Sequence, residues 1–339
     1  MSDWESLQSQ TAQLLDEAFA LSQEKFFRGS PMREMLEYHY RSGGKRLRPA
    51  LVLGAALAYA RTKGGNPETL VRACVPYALA VELLHNATLI HDDIQDGDQS
   101  RRGQPTLWVK YSEAQAINCG DAWFFVPQLL IQDADYPADT KLALLELVQS
   151  RILAVIEGQS QEFALKERFS KGEEISIPHY LSMVEGKTSA LFSVPLVGGA
   201  MIAGASVLER KALEQSATSL GRAFQIQDDL LDLWGSKGRE QVGSDIAEGK
   251  LSYPLVLLLN KLHRGSQDRS KAEAIVRAPR EETTNDQIAW LISLMEREGI
   301  KEKAKQDFRH HLKEARTGSL WTEVIDYLAG WLEEKVAGF

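Results

Sequence analysis

The run ETLVRACVPYALAVELLHNATLIH, Glu68 to His91, decides the reading of the fold. Its apolar residues recur at three-to-four spacing, the period of an α-helix and not of a strand. The run ends abruptly in DDIQDGDQSRRGQPT, where Asp92, Asp93, Asp96 and Asp98 crowd together ahead of Arg101 and Arg102. Like charges one helical turn apart destabilise a helix by about 0.2–0.5 kcal/mol per pair. Such a cluster asks for a cationic partner.

Outward from this helix the same periodicity returns in LQSQTAQLLDEAFALSQEKF, PALVLGAALAYA, DTKLALLELVQSRILAVIEGQSQEFAL, EQSATSLGRAFQIQDDLLDLW and YPLVLLLNKLH. Gly-, Pro- and Asp-rich turns such as RTKGGNPE and DADYPADT separate these runs. Alternating strand patterns are hard to find, so the expectation is an all-α chain folded as a single domain over 1–339, its chemistry concentrated in 43–250. Residues 265–285 read as a surface loop, and the last fifty as amphipathic closing helices in which His310 and His311 are solvated. The stretch FSVPLVGGAMIAGASVL is too short and too glycine-rich to span a bilayer and reads as a buried helix packing through small residues.

Composition excludes several classes. Hydrophobic residues make up 44% of 339, enough for a sizeable core. A formal net charge of −8 argues against a nucleic-acid binder. Two cysteines, Cys74 and Cys119, supply neither a disulfide framework nor a zinc cluster and read as small core residues. The opening MSDWESLQSQTAQLL lacks the basic-then-apolar order of a signal peptide, and the expectation is a cytoplasmic protein without a membrane span.

Asp92 and Asp96 are four apart, so on a helix they project from one face. FQIQDDLLDLW repeats that spacing with Asp228 and Asp232 around Asp229. One acidic cluster at a helix end can be mere solvated charge; two, each closing a core-like helix, point to metal. Magnesium suits them best, because it takes oxygen ligands and is held by one or two carboxylates plus substrate phosphates. Basic elements accompany the acids: GGKRLRP with Lys45, Arg46 and Arg48 before a helix opened by Pro49, RRG at Arg101 to Gly103, GKTSALF with Lys187 and Thr188 at a helix bend, and Lys250 in IAEGKLSYP. Guanidinium groups grip phosphate oxygens bidentately, and helix N-termini attract anions. Together these suit more than one polyphosphate group.

GGKRLRP, LLHNATLIHDDIQDGDQSRRGQPT, EGQSQEF, GKTSALF, FQIQDDLLD and GSDIAEGK stand in the order of the trans-isoprenyl diphosphate synthases (polyprenyl synthetases), which the chain resembles from about residue 40 to 255. The resemblance implies an all-α bundle around a deep central cavity, a homodimer, three Mg2+ ions, and elongation of an allylic diphosphate (dimethylallyl, geranyl or farnesyl) by isopentenyl diphosphate. Carried over by motif, Asp92, Asp96 and Asp228 are direct metal ligands and Asp232 supports them through water. Lys45, Arg48, His85 and Arg102 hold isopentenyl diphosphate; Arg101, Lys187, Thr188, Gln225 and Lys250 hold the allylic diphosphate. Read alone, His85 is a core histidine; its place seven residues before Asp92, as in the family pattern, reverses that reading. His91 is structural, and Gln159 a polar wall group. In one departure, Gln241 stands where many members carry lysine, and Arg239 is the nearest substitute charge.

In this family bulky aromatics four and five residues before the first aspartate cap the tail pocket early. Here those residues are Thr88 and Ala87, both small, with Leu84, Leu83 and Ala80, and residues near Ile152 and Val155, as deeper candidates for a floor. The expected product is C20, geranylgeranyl diphosphate, with C15 or C25 and longer as alternatives. A class I terpene cyclase is the distant alternative, since it would not be expected to carry GGKRLRP, RRG and a second DDLLD. A non-catalytic subunit would typically have lost aspartates that this chain keeps.

Overall fold

Each apolar stripe finds a helical partner, and the computed structural model, which describes residues 2–235, 242–317 and 322–338, is all-α as expected. In chain order the helices are α1 (Ser2–Phe26), α2 (Met32–Arg41), α3 (Leu47–Lys63) and α4 (Pro67–Gln95), then strands β1 (Ser100–Arg101) and β2 (Gln104–Pro105). There follow α5 (Leu107–Lys110), α6 (Glu113–Asp133), α7 (Ala138–Ser170), α8 (Ile177–Val184), a π-helical turn at Glu185–Ser189, and α9 (Ala190–Ile202). The remainder is α10 (Val207–Trp234), α11 (Ser244–Ala247), α12 (Tyr253–Lys261), α13 (Gln267–Arg277), α14 (Asn285–Arg297), α15 (Ile300–Arg316) and α16 (Thr322–Val336). Extended structure among the described residues is the two-residue antiparallel pair β1–β2. The chain forms two compact units, one of Met1–Ile152 with Ser193–Glu214, the other of Leu153–Phe192 with Gln215–Phe339.

The axis of the first unit is α4, packed on α6, α3 and α1. Asn66 caps it by accepting from the Thr69 amide at 3.2 Å, and Pro67 opens its first turn. Leu79, Leu83, Ala87 and Ile90 are buried along it; each buried leucine stabilises the unit by about 1.5–3 kcal/mol. By length and composition α4 could cross a membrane, but 67% of its most apolar window is buried inside the protein, which makes it a core helix. The stretch expected to pack through small residues does so as α9: Gly198 lies so close to Tyr77 that an added Cβ would come within 2.2 Å of the ring. Cys74 and Cys119 are free and buried, as expected.

Polar groups also enter this core. Arg46 pairs with buried Glu82, stacks 4.0 Å over the Tyr40 ring, and donates to the Tyr40 carbonyl at 3.0 Å. Asn86 completes the group by donating to Glu82 at 3.0 Å. A buried charge needs such a partner, since removing one member strands the other.

In the second unit α12 packs on α15 and α8, and α15 on α14 and α16. The closing helices are amphipathic as expected, burying Phe308, Leu312, Ile325 and Leu328. Two expectations are corrected here. The supposed surface loop 265–285 contains α13, capped by Ser266 and burying Ala272, Ile275 and Val276. That three-residue stripe is too sparse among charges for periodicity to reveal. His311 is buried with its Nδ1 2.9 Å from Glu314, while its neighbour His310 is exposed.

Candidate active site

In the first unit the glycine pair of GGKRLRP bends the chain into α3, with Gly44 at φ 147° and Arg46 in the left-handed region at φ 47°. The helix starts at Leu47, two residues before Pro49. Arg48 therefore sits in its first turn, and its guanidinium meets His85 Nε2 at 3.0 Å. Burial, and then Arg48, Arg102 and Arg101, hold the imidazole well below its usual pKa, so the ring is neutral. Burial also pushes Arg48 down to about 10. With Nε2 accepting from Arg48, the proton belongs on Nδ1, a buried atom with no partner among the described residues. It is a donor suited to an anion.

RRG forms the turn joining β1 and β2, with Arg102 at φ 55° and Gly103 at φ 77°. Two successive positive φ values make the tight turn that a two-residue hairpin needs. Gly103 adopts this without cost, whereas Arg102 is strained by about 1–2 kcal/mol. That strain places the Arg102 guanidinium over Gly44, 2.9 Å from where a Cβ would stand. Trp108 Nε1 and Thr106 Oγ1 anchor the hairpin by donating to the Asp98 carbonyl at 2.8 and 2.9 Å. Arg48, His85 and Arg102 are thus brought together, and Lys45 is the most exposed of the loop's cations.

Adjacent aspartates of the first cluster part company. Asp93 is buried and accepts from Arg101 Nε at 2.6 Å; burial raises its carboxyl to about 6 against the pull of Arg101. Asp92 and Asp96, half-buried, share the other face at the C-terminal end of α4. Leu84 and Ala87 are buried below them, and Thr88 turns its hydroxyl back to the His85 carbonyl at 2.7 Å. His91 packs against Phe124 and Gly120, a structural role as read.

In the second unit the bend in GKTSALF is the π-helical turn Glu185–Ser189, the kind of irregularity that recurs at functional sites. It lies against Gly158 of EGQSQEF, where an added Cβ would stand 2.2 Å from the Lys187 amide nitrogen. The Lys187 ammonium is 2.5 Å from Glu162, one turn further along α7. Thr188 donates to Gln225 at 2.8 Å, and Gln225 donates to Asp229 at 3.0 Å.

The second cluster repeats the division of the first. Asp229 is buried and accepts from Tyr180 Oη and the Tyr253 amide, both at 2.6 Å. Burial and the nearby Asp245 raise its carboxyl to about 7. Asp228 is half-buried. Asp232 is buried and accepts from Ser244 Oγ at 2.7 Å and the Asp245 amide at 3.2 Å, so it fastens GSDIAEGK to α10. Lys250 pairs with Glu248 at 3.0 Å at the end of the same segment. Gln159 is half-buried on α7. Gln241 and Arg239 lie outside the described residues.

No ready-made group of three metal ligands exists among the described residues. The donors that remain toward solvent are carboxylate oxygens, without sulfur or nitrogen. Such a set fits a hard divalent cation that completes its shell with water and phosphate. Sequence reasoning missed Glu82, Asn86, Glu162 and Tyr180, and gave no role to Asp93 and Asp229. Glu82 is a charge on an otherwise apolar helical run, which was a readable sign; Glu162, among the polar residues of EGQSQEF, and Tyr180 offer none.

Each unit thus presents a carboxylate pair at a helix end near cationic side chains, guanidinium and neutral imidazole in the first and ammonium in the second, a donor set suited to diphosphate and hard divalent metal. The profile of the polyprenyl synthetase family matches residues 30–295. A (2E,6E)-farnesyl diphosphate synthase of Mycobacterium tuberculosis is 34% identical over 79% of this chain and 71% of its own. The crystal structure of geranylgeranyl pyrophosphate synthetase from Pyrococcus horikoshii superposes with a TM-score of 0.83 at 29% identity, covering 98% of this chain and 99% of that one. A polyprenyl synthase of Caulobacter crescentus, solved with calcium and isoprenyl diphosphate, gives a TM-score of 0.77 at 25% identity, covering 97% and 94%. The chain belongs to the polyprenyl synthetase family and is a trans-prenyl diphosphate synthase. Its relatives make products of different length.

Proposed function

We propose that the enzyme condenses isopentenyl diphosphate with an allylic diphosphate to give the C20 product, geranylgeranyl diphosphate. The observation that carries the length is the pair Ala87 and Thr88. Neither side chain bears a ring, and the only polar group, the Thr88 hydroxyl, is satisfied by the His85 carbonyl. Neither residue therefore caps the path below Asp92 against an apolar tail longer than C15.

Asp92, Asp96 and Asp228 would hold magnesium, three ions with diphosphate bound, and Asp232 would support them. Bound magnesium supplies Lewis acidity that stabilises the diphosphate as it departs. Arg101, Lys187, Thr188, Gln225 and Lys250 hold that diphosphate and neutralise its growing charge. Lys45, Arg48, Arg102 and His85 Nδ1 fix isopentenyl diphosphate so that its double bond faces the allylic C1. The C–O bond to the diphosphate breaks, the alkene attacks the allylic cation, and loss of a proton to the released diphosphate gives a chain five carbons longer. Apolar walls keep water from the cation.

The enzyme acts as a homodimer, a reading supported by apolar side chains left exposed on the first unit: Phe125 is 67% exposed on α6, which also exposes Ile117 and Leu129, and Leu142 is 68% exposed on α7. Incubation with Mg2+, isopentenyl diphosphate and each of dimethylallyl, geranyl and farnesyl diphosphate, followed by mass spectrometry of the dephosphorylated alcohols, tests the whole reading. A C20 alcohol that disappears with EDTA is the expected result; no elongation from any starter would refute it.

A further inference from the structure

Glu82 is buried on α4, three residues before His85, and its carboxylate pairs with the Arg46 guanidinium. Asn86 holds the same residue, donating to its carboxylate at 3.0 Å and to its carbonyl at 2.8 Å. Arg46 is fixed twice more, by its donation to the Tyr40 carbonyl and by the Tyr40 ring beneath its guanidinium. The backbone explains so many restraints. Arg46 is the residue from which α3 starts, its φ of 47° and ψ of 35° are left-handed, and its side chain does not cap the helix. A non-glycine residue keeps such a conformation only where its surroundings over-determine it. Of the cations in GGKRLRP, Arg46 is therefore committed inside the protein, with Lys45 and Arg48 on either side of it.

We infer that Glu82 is a positioning residue for isopentenyl diphosphate: by holding Arg46 it sets where α3 begins, and with it the places of Lys45 and Arg48. The inference rests on the prenyl-transfer reading above, and Glu82 itself touches no substrate in it. Two cross-links tie the start of α3 to α4: Arg46 to Glu82 and, one turn further along α4, Arg48 to His85 at 3.0 Å. The second carries groups that meet the diphosphate. The first carries none and acts as the brace. Charge acts in the same direction. Burial lowers the pKa of both Arg48 and Arg102, and the Glu82 carboxylate opposes that fall at each. An anion near a diphosphate site repels the ligand unless a cation neutralises it, and the contact with Arg46 supplies that cation. Without Glu82, Arg46 becomes an unpaired buried charge and its left-handed turn loses the charged one of its restraints. The first turn of α3 then shifts, and a displacement of about 1 Å at a binding group costs up to about 100-fold.

The test measures the KM of each substrate and the melting temperature for wild type and Glu82→Gln, a change that keeps the shape and removes the charge. The KM for isopentenyl diphosphate is expected to rise about tenfold, with that for the allylic diphosphate within about twofold. A lower melting temperature with both KM values unchanged is the signature of a merely structural pair and would overturn the inference. Equal rises in both would refute it too. So would a fall in the isopentenyl diphosphate KM, since Arg46 would then be a diphosphate ligand that Glu82 withholds. Should the stranded arginine prevent folding, Glu82→Gln/Arg46→Gln, which leaves no charge buried at the pair, decides by the same split between substrates. A wild type that elongates no starter would overturn prenyl transfer itself; an active wild type with an unmoved isopentenyl diphosphate KM in the variant overturns the positioning role alone.

Discussion

The Lys187 ammonium lies 2.5 Å from the Glu162 carboxylate, so a cation assigned to the allylic diphosphate already holds an anionic partner. Substrate has to compete with that partner. Glu162→Gln is expected to lower the KM for the allylic diphosphate about fivefold, equivalent to roughly 1 kcal/mol for a partly exposed pair. Lys187→Ala is expected to raise it, with the KM for isopentenyl diphosphate little changed in both. Steady-state kinetics with each substrate varied in turn check this; an unaltered allylic KM in Glu162→Gln would make the pair incidental.

Neighbouring aspartates should behave differently on mutation. Asp92→Asn is expected to cut kcat at least about 100-fold, the scale of removing one transition-state electrostatic contact, and to shift the magnesium dependence to higher concentration. Asp93 is committed to Arg101, so Asp93→Asn should leave the magnesium midpoint within about twofold while disturbing the arginine. A magnesium titration of both variants is the check, and equal shifts would contradict the division of labour.

Ala87 is fully buried one turn below His91. Ala87→Phe is expected to shorten the main product by at least one C5 unit. Product analysis by mass spectrometry reads this directly, and unchanged length would remove Ala87 from the ruler.

His39 is buried, and burial followed by Arg101 and Arg102 lowers its pKa to about 3. Its unfolded value is near 6.5. A histidine depressed in the folded state contributes stability that is present above its unfolded pKa and is lost as pH falls toward the folded one. Between pH 7.5 and 5 the loss should be about 2 kcal/mol. Urea unfolding of wild type and His39→Asn across that range should show the slope in the former and a flatter profile in the latter.

Helix α4 and both aspartate clusters were legible because period and local charge density are properties of short stretches. The inward turn of Asp93 and Asp229 was not. Adjacent identical residues differ only by about 100° around a helix, and their partners come from elsewhere: Tyr180 and Tyr253 for Asp229, and the β1 arginine for Asp93. The pairing of Arg48 with His85 joins two motifs seen separately. Helix α13 stayed hidden because charges surround its buried stripe. GKTSALF read correctly as a bend, but its π-helical form and its close approach to Gly158 are contained in no local pattern.

That contact has an evolutionary side. Gly158 carries no charge, makes no side-chain hydrogen bond and touches no substrate in the proposed scheme. Yet the smallest possible enlargement, Gly158→Ala, places a methyl group where the Lys187 amide now stands. A lineage could keep every ligand, cation and aspartate and still lose its grip on diphosphate through one added carbon. Gly158 is therefore held to glycine by the backbone of Gly186 and Lys187, whatever side chain position 187 carries.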